Sequence, residues 1–246
     1  MKIPILMYHQ IDVPPPKGTP LRGLVVSTAS FARQMFFLKC LGYRGLSMRD
    51  LEPYLNGEQQ GRVVGITFDD GYRNNILNAL PILQKYGFTA TCYSVSSMFG
   101  GANSWDHEIG VPSKPLMSSS EWKQWLNGGM EVGSHTRTHA DLTALTPDAA
   151  ALEITLSKRE LEDSLKCEVR HFCYPYGRYD ASHVEMVRQA GYVTATTTNR
   201  GRVGAEDQPY QLTRIMVAKA TSIVVFVLKI MTAYEDRRNR AQSALS

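Results

Sequence analysis

Apolar positions along this chain change period repeatedly, and the changes mark its elements. The stretch VVGITFDDGY, residues 63–72, opens as a continuous apolar and β-branched run and stops in two adjacent carboxylates and a glycine. A run of that kind suits a strand covered on both faces, as in a parallel sheet or an α/β barrel. Residues 4–9 read the same way and end at His9, before a loop carrying Pro14, Pro15 and Pro16. Over residues 30–41 the period lengthens: Phe31, Met35, Leu38 and Leu41 recur at helical spacing, and Gly42 is placed to end the helix. A short strand at 43–46 and a helix at 49–55 lead into the central run.

Beyond it the alternation continues. The pattern predicts a helix over 76–86 stopped by Gly87, a strand at 89–95, a short helix at 121–126 and a strand at 130–134. Thr146 and Pro147 then supply an N-cap and a first-turn proline for a long helix to about Leu165. Strand at 171–174, helix at 182–190, strands at 192–198 and 212–217, and a closing helix from Ser222 complete the chain. Strand followed by helix, about seven times, predicts parallel α/β architecture. Between Phe99 and Met117 lies a long stretch with several glycines and prolines, of the length that often serves as a lid or binding loop.

Composition narrows the reading. With 246 residues, 43% of them hydrophobic, the chain can bury one substantial core, so a single domain over 1–246 is expected. The net charge of +4 is spread along the chain apart from Arg237, Arg238 and Arg240, which read as a solvated helix face; nothing resembles a nucleic-acid footprint. The cysteines, Cys40, Cys92, Cys167 and Cys173, have neither zinc-knuckle nor disulfide-framework spacing, and a reducing compartment is the simpler reading. The run at 223–228 is too short to span a bilayer. MKIPILMYHQ reads as a first strand rather than an export leader, which makes a cytoplasmic protein the expectation.

Candidate chemistry sits at the ends of the strands. Asp69 and Asp70 close the central run, on the side of an α/β fold where catalytic groups collect. Neighbouring strand residues point to opposite sides, so one aspartate can bind a metal while the other handles a proton. His135 and His139, four apart after another strand, would lie on one side of a helical turn. Two imidazoles and a carboxylate leave an open position for water, as catalytic zinc requires.

These residues also carry a family resemblance. TFDDG at 67–71, SHTRTH at 134–139 and YPYG at 174–177, in this order, resemble the first three motifs of the polysaccharide deacetylases, the NodB-homology or family 4 carbohydrate esterases. The resemblance runs from LMYH at 6–9 to the strand at 212–217. It implies a distorted (β/α)7-type barrel and metal-dependent removal of N-acetyl groups from amino sugars in a polysaccharide, oligosaccharide or lipid-linked glycan. By motif position, Asp70, His135 and His139 would hold one divalent ion, zinc first, with cobalt, nickel or manganese able to use the same ligands. Asp69 would be the general base, and the backbone N–H of Tyr176 would face the oxyanion, with Pro175 and Gly177 setting the turn.

Two departures stand out. Cys173 occupies the place of an arginine that orients the base in the family, which leaves Arg178 or Arg137 as candidates for that task. The late Leu-x-His motif that usually gives the general acid is also missing from LTRIMV, and His9, at the end of the first strand of a closed barrel, is the expected substitute. Trp105 and Asp106 in the long loop, with Tyr174 and Pro175, are expected to contact the sugar. Trp122 and Trp125 are expected in the core, and His107, His171 and His183 are read as structural. A metal-dependent amidase on a non-sugar bond, or a silent carbohydrate-binding domain, are the competing readings.

Overall fold

The computed structural model describes residues 2–243, and side-chain surroundings through Arg238. In chain order the first half comprises β1 (Ile5–Tyr8), β2 (Gln10–Ile11), β3 (Val25–Val26), α1 (Thr28–Cys40), β4 (Arg44–Leu46), α2 (Met48–Leu55), β5 (Val63–Phe68), α3 (Leu80–Tyr86) and β6 (Thr91–Ser94). The second half comprises α4 (Ser119–Asn127), β7 (Glu131–Ser134), α5 (Pro147–Leu165), β8 (His171–Cys173), α6 (Ala181–Gln189), β9 (Thr194–Arg200), β10 (Leu212–Met216), α7 (Ile223–Met231) and α8 (Tyr234–Ser243).

Seven parallel strands close a ring. β1 pairs with β5 on one edge (Tyr8 opposite Phe68) and with β10 on the other (Leu6 opposite Ile215), and β6 to β9 complete the circuit. The expected distortion has a local cause. β4 pairs with the lower part of β5, Arg44 opposite Val63, and the Thr89 N–H donates to the Gly45 carbonyl, so β4 is wedged between β5 and the approach to β6. Strands β1, β5, β6, β7 and β8 are buried along their length because helices cover the outside and side chains fill the inside, as continuous apolar runs require. Tyr8, Phe31 and Phe68 pack with ring centroids 5.2 to 5.8 Å apart, and Phe68 meets Trp125 edge-on. Each such side chain contributes roughly 1.5–3 kcal/mol by leaving water. Trp122 and Trp125 lie in this core as the pattern predicts.

Helix α5 keeps the predicted boundaries: the Thr146 hydroxyl accepts from the Ala149 N–H, Pro147 occupies the first turn, and Lys166 ends the helix in a left-handed conformation. Elsewhere the structure differs from the pattern. The helix expected from residue 76 begins with a π-helical turn, Asn75–Ala79, before α3. The Pro-rich loop holds a small parallel pair, β2 with β3. The closing helix is two helices, since Thr232 leaves the helical region and its hydroxyl accepts from the Tyr234 N–H to start α8. Arg237 and Arg238 are exposed on α8, as expected; Arg240 lies outside the residues whose side chains are described. Among the described residues no helix is long and apolar enough to cross a membrane.

Candidate metal centre and active site

Asp69 follows β5 and is 2% exposed, its N–H donating to the Tyr8 carbonyl at 3.0 Å. Its two carboxylate oxygens accept from Nη1 and Nη2 of Arg214 at 2.7 and 2.8 Å. Arg214 comes from β10, is fully buried, and has its own geometry fixed: Nε donates to the Thr197 carbonyl at 2.9 Å, Nη1 also reaches Thr67 Oγ1 at 3.1 Å, and Nη2 lies 3.2 Å from Cys173 Sγ. The guanidinium thus fills the space that Cys173 leaves. Neither Arg178 nor Arg137 orients Asp69, which corrects that expectation: Arg178 pairs with Asp141, and Arg137 with Glu160 at 2.6 Å. Pattern alone does not single out Arg214, yet the signal is there. An arginine inside an apolar strand must find a buried partner, because a lone buried charge is too costly.

Burial pushes the Asp69 carboxyl up, but the Arg214 guanidinium, helped by His9, outweighs burial and holds it below the usual carboxylate range. For Asp70, burial is likewise outweighed, here by hydrogen bonding to His135 and His139, which draws it well below that range. Both aspartates are therefore ionised near neutral pH.

His135 and His139 do not lie on a helical turn. They flank an irregular loop after β7, in which Thr136 and His139 adopt φ of 63° and 62°. The outcome for the ligands is nonetheless the one the spacing suggests. Nε2 of His135 and of His139 lie 3.4 and 3.3 Å from Asp70 Oδ1, with the rings 4.9 Å apart. Among the described residues, four of the six non-glycine positions with positive φ are Asp70, Thr136, His139 and Tyr176. Backbone strain of this sort is held in place only where surrounding structure insists on it, and here it surrounds one point.

Whether this set suits a divalent ion can be tested on its protons. His135 Nδ1 lies 2.7 Å from the Cys173 carbonyl, an oxygen that can only accept, so Nδ1 carries the hydrogen. Its Nε2 faces an anionic oxygen of Asp70, and although burial pushes the imidazole down, Cys173 and Asp70 outweigh burial and hold it well above its usual range. The pair therefore favours positive charge between Nε2 and Oδ1, which a proton or a divalent ion can supply, and a carbonyl-anchored imidazole is the usual support of a metal ligand. The donor atoms of Asp70, His135 and His139 lie within 4.8 Å of one another and fit such an ion. Asp69, His135 and Cys173 are equally close, but Arg214 already occupies both oxygens of Asp69 and approaches the Cys173 sulfur.

The other expected residues divide. His9 reaches the site, with Nε2 3.9 Å from Asp69 Oδ2, and Asn75 fixes it by donating to the His9 carbonyl at 2.8 Å. Tyr176, at φ 58°, sets its ring edge-on to His139 at 4.7 Å and is 44% exposed at the rim. Gly177 has φ 68°, and a Cβ there would collide with Thr198, so the turn needs glycine. Trp105 lies flat against His139, centroids 4.5 Å apart, as a wall of the centre. Asp106 is buried beside it, in a cleft that His9, Asp70, Tyr72 and Lys114 also line, and burial raises its carboxyl above the usual range. Tyr174 is fully buried, stacked on Tyr179 at 4.4 Å with its hydroxyl donating to the Tyr210 carbonyl, and Pro175 is buried beside it, so their side chains shape the turn rather than face solvent. Of the remaining histidines, His107 is exposed, while His171 and His183 are buried away from this centre.

Fold and centre together define a barrel hydrolase. The polysaccharide deacetylase family profile matches residues 56–195. YxkH of Bacillus subtilis (strain 168) is 30% identical over 223 residues, which cover 90% of this chain and 73% of that protein. The chain belongs to the polysaccharide deacetylase family, in agreement with its three motifs. The poly-β-1,6-N-acetyl-D-glucosamine N-deacetylase of Staphylococcus epidermidis is 24% identical over 210 residues, 80% of this chain and 70% of that one. Among solved structures, the Streptococcus pyogenes deacetylase PplD in complex with acetate superposes with a TM-score of 0.81 at 29% identity, covering 94% of this chain and 98% of that one.

Proposed function

We propose that residues 1–246 form the catalytic domain of a divalent-metal-dependent N-deacetylase acting on N-acetylated amino sugars of a glycan. The observation that carries this reading is the separation of two adjacent carboxylates: Asp70 converges with His135 and His139, while Asp69 is kept apart by Arg214. A binding module would need neither an ionised carboxylate held off the ligand cluster nor an imidazole beside it. The names of the relatives support the substrate class.

In this reading Asp70, His135 and His139 hold the ion, zinc being the first candidate. When bound it supplies Lewis acidity, which polarises the acetyl carbonyl and acidifies water. Asp69, ionised and oriented by Arg214, takes the proton of the attacking water. The Tyr176 N–H, in its left-handed turn against His139, stabilises the oxyanion. His9 gives a proton to the leaving nitrogen, so acetate and a free amine are the products. Trp105 and Asp106 border the sugar.

Acetate release from N-acetylglucosamine oligomers tests the proposal. Release that a chelator abolishes and added zinc, cobalt, nickel or manganese restores supports it. No release from any such oligomer, with hydrolysis of a non-sugar acetamide instead, overturns the substrate class.

A further inference from the structure

The two histidine ligands are linked by Thr136, Arg137 and Thr138, outside any helix or strand, so this loop has no repeating hydrogen bonds to hold its shape. Its backbone is instead held from α5. Glu153 Oε2 accepts from the Arg137 N–H and the Thr138 N–H, each at 2.9 Å, and Oε1 accepts from Thr138 Oγ1 at 2.9 Å. Two turns further along α5, Glu160 accepts from Arg137 Nε at 2.6 Å and from Ser96 Oγ at 2.5 Å. The Arg137 carbonyl also accepts from the N–H and hydroxyl of Ser97 at 3.0 and 2.6 Å, and the Thr136 carbonyl from the Ser96 N–H at 3.2 Å.

We propose that Glu153 is a positioning residue for the metal centre, one that holds His139 in register with His135 and Asp70. This rests on the metal-centre reading above. The loop carries two left-handed residues, Thr136 and His139, and such backbone relaxes unless its surroundings pin it. Hydrogen bonds to a carboxylate are among the stronger pins available, and one carboxylate here receives three donors within two consecutive residues. None of these Glu153 hydrogen bonds goes to a ligand side chain. It acts on the backbone between them, and α5, capped at Thr146 and packed through Ala150, Ile154 and Ser157, gives it a rigid base.

The test is zinc affinity, by competition with a chromophoric chelator, together with the rate of zinc loss and the melting of the zinc-free protein, for the full chain and for E153A and E153Q. Loss of a supporting partner of this kind typically weakens metal binding about 10- to 100-fold, and E153A is expected in that range with faster zinc loss. E153Q keeps one oxygen that can accept both backbone N–H groups and should stay within roughly threefold of wild type. The zinc-free proteins should melt alike. Wild-type affinity in E153A overturns the proposal. So does an equal loss in E153Q, or a loss of affinity that comes with loss of the zinc-free fold, since either would make Glu153 a general structural residue. Failure of the wild-type chain itself to bind one ion overturns the metal-centre reading instead, and the two failures are distinct.

Discussion

Arg214 and Asp69 form a two-pronged ion pair at 2.7 and 2.8 Å, both residues buried, one from β10 and the other from the loop after β5. Strand closure makes the pair possible, since β10 and β5 both flank β1. The guanidinium orients the carboxylate and keeps it ionised, at the expense of some of its basicity.

Arg214→Met should therefore act on both stability and turnover. A buried carboxylate left without its cation costs about 3–5 kcal/mol, read as a lower urea midpoint. Asp69, now subject to burial without Arg214, should titrate higher, so the acid limb of kcat/KM moves up in pH and turnover near neutrality falls. Arg214→Lys restores charge without the fork and should lie between the two. An unchanged acid limb in R214M would show that Asp69 is not the base.

His9→Ala should leave zinc content unchanged, since His9 is not among the converging donors. Turnover on an N-acetylated sugar should fall about 10²–10⁴-fold, the usual contribution of a positioned acid. An aryl acetamide, whose leaving nitrogen needs less help from a proton, should lose much less. Equal losses on both substrates would remove His9 from proton transfer to the leaving group.

Much of this centre was legible in the sequence. Continuous apolar runs gave the buried strands, their ends gave Asp69, Asp70 and His9, and the His-x-x-x-His spacing gave the ligand pair. Arg214 is not legible there, because its partner lies 145 positions earlier and only ring closure joins them. His135 and His139 depart from the helical geometry their spacing predicts because spacing specifies separation along the chain but not φ. Thr136 and His139 take left-handed values that contacts to α5 and to Ser96 and Ser97 support. The break between α7 and α8 was hidden for a similar reason. Lys229 and Arg200 draw the buried Glu235 into an ion cluster, at 2.8 and 3.4 Å, that no local pattern encodes.

At the opposite end of the barrel Glu52 lies 3.1 Å from His171 Nε2 and takes both prongs of Arg170 at 2.8 Å. The His171 imidazole first, and Arg170 with it, outweigh burial and lower the Glu52 carboxyl from 4.5 to about 2. A carboxyl lowered in the folded state stabilises fully above its unfolded value, and the benefit is lost as pH falls through the folded one. Urea midpoints of the wild type should thus decline between about pH 4.5 and 2 more steeply than those of Glu52→Gln. Parallel curves would mean that Glu52 contributes nothing to acid stability.

Zinc stoichiometry in paired aspartate variants tests the division of labour at the centre most directly. Wild type and Asp69→Asn should each bind one zinc per chain, the latter without turnover, while Asp70→Asn should bind none under the same conditions. Full occupancy in D70N, or an empty D69N with its fold intact, would contradict the account.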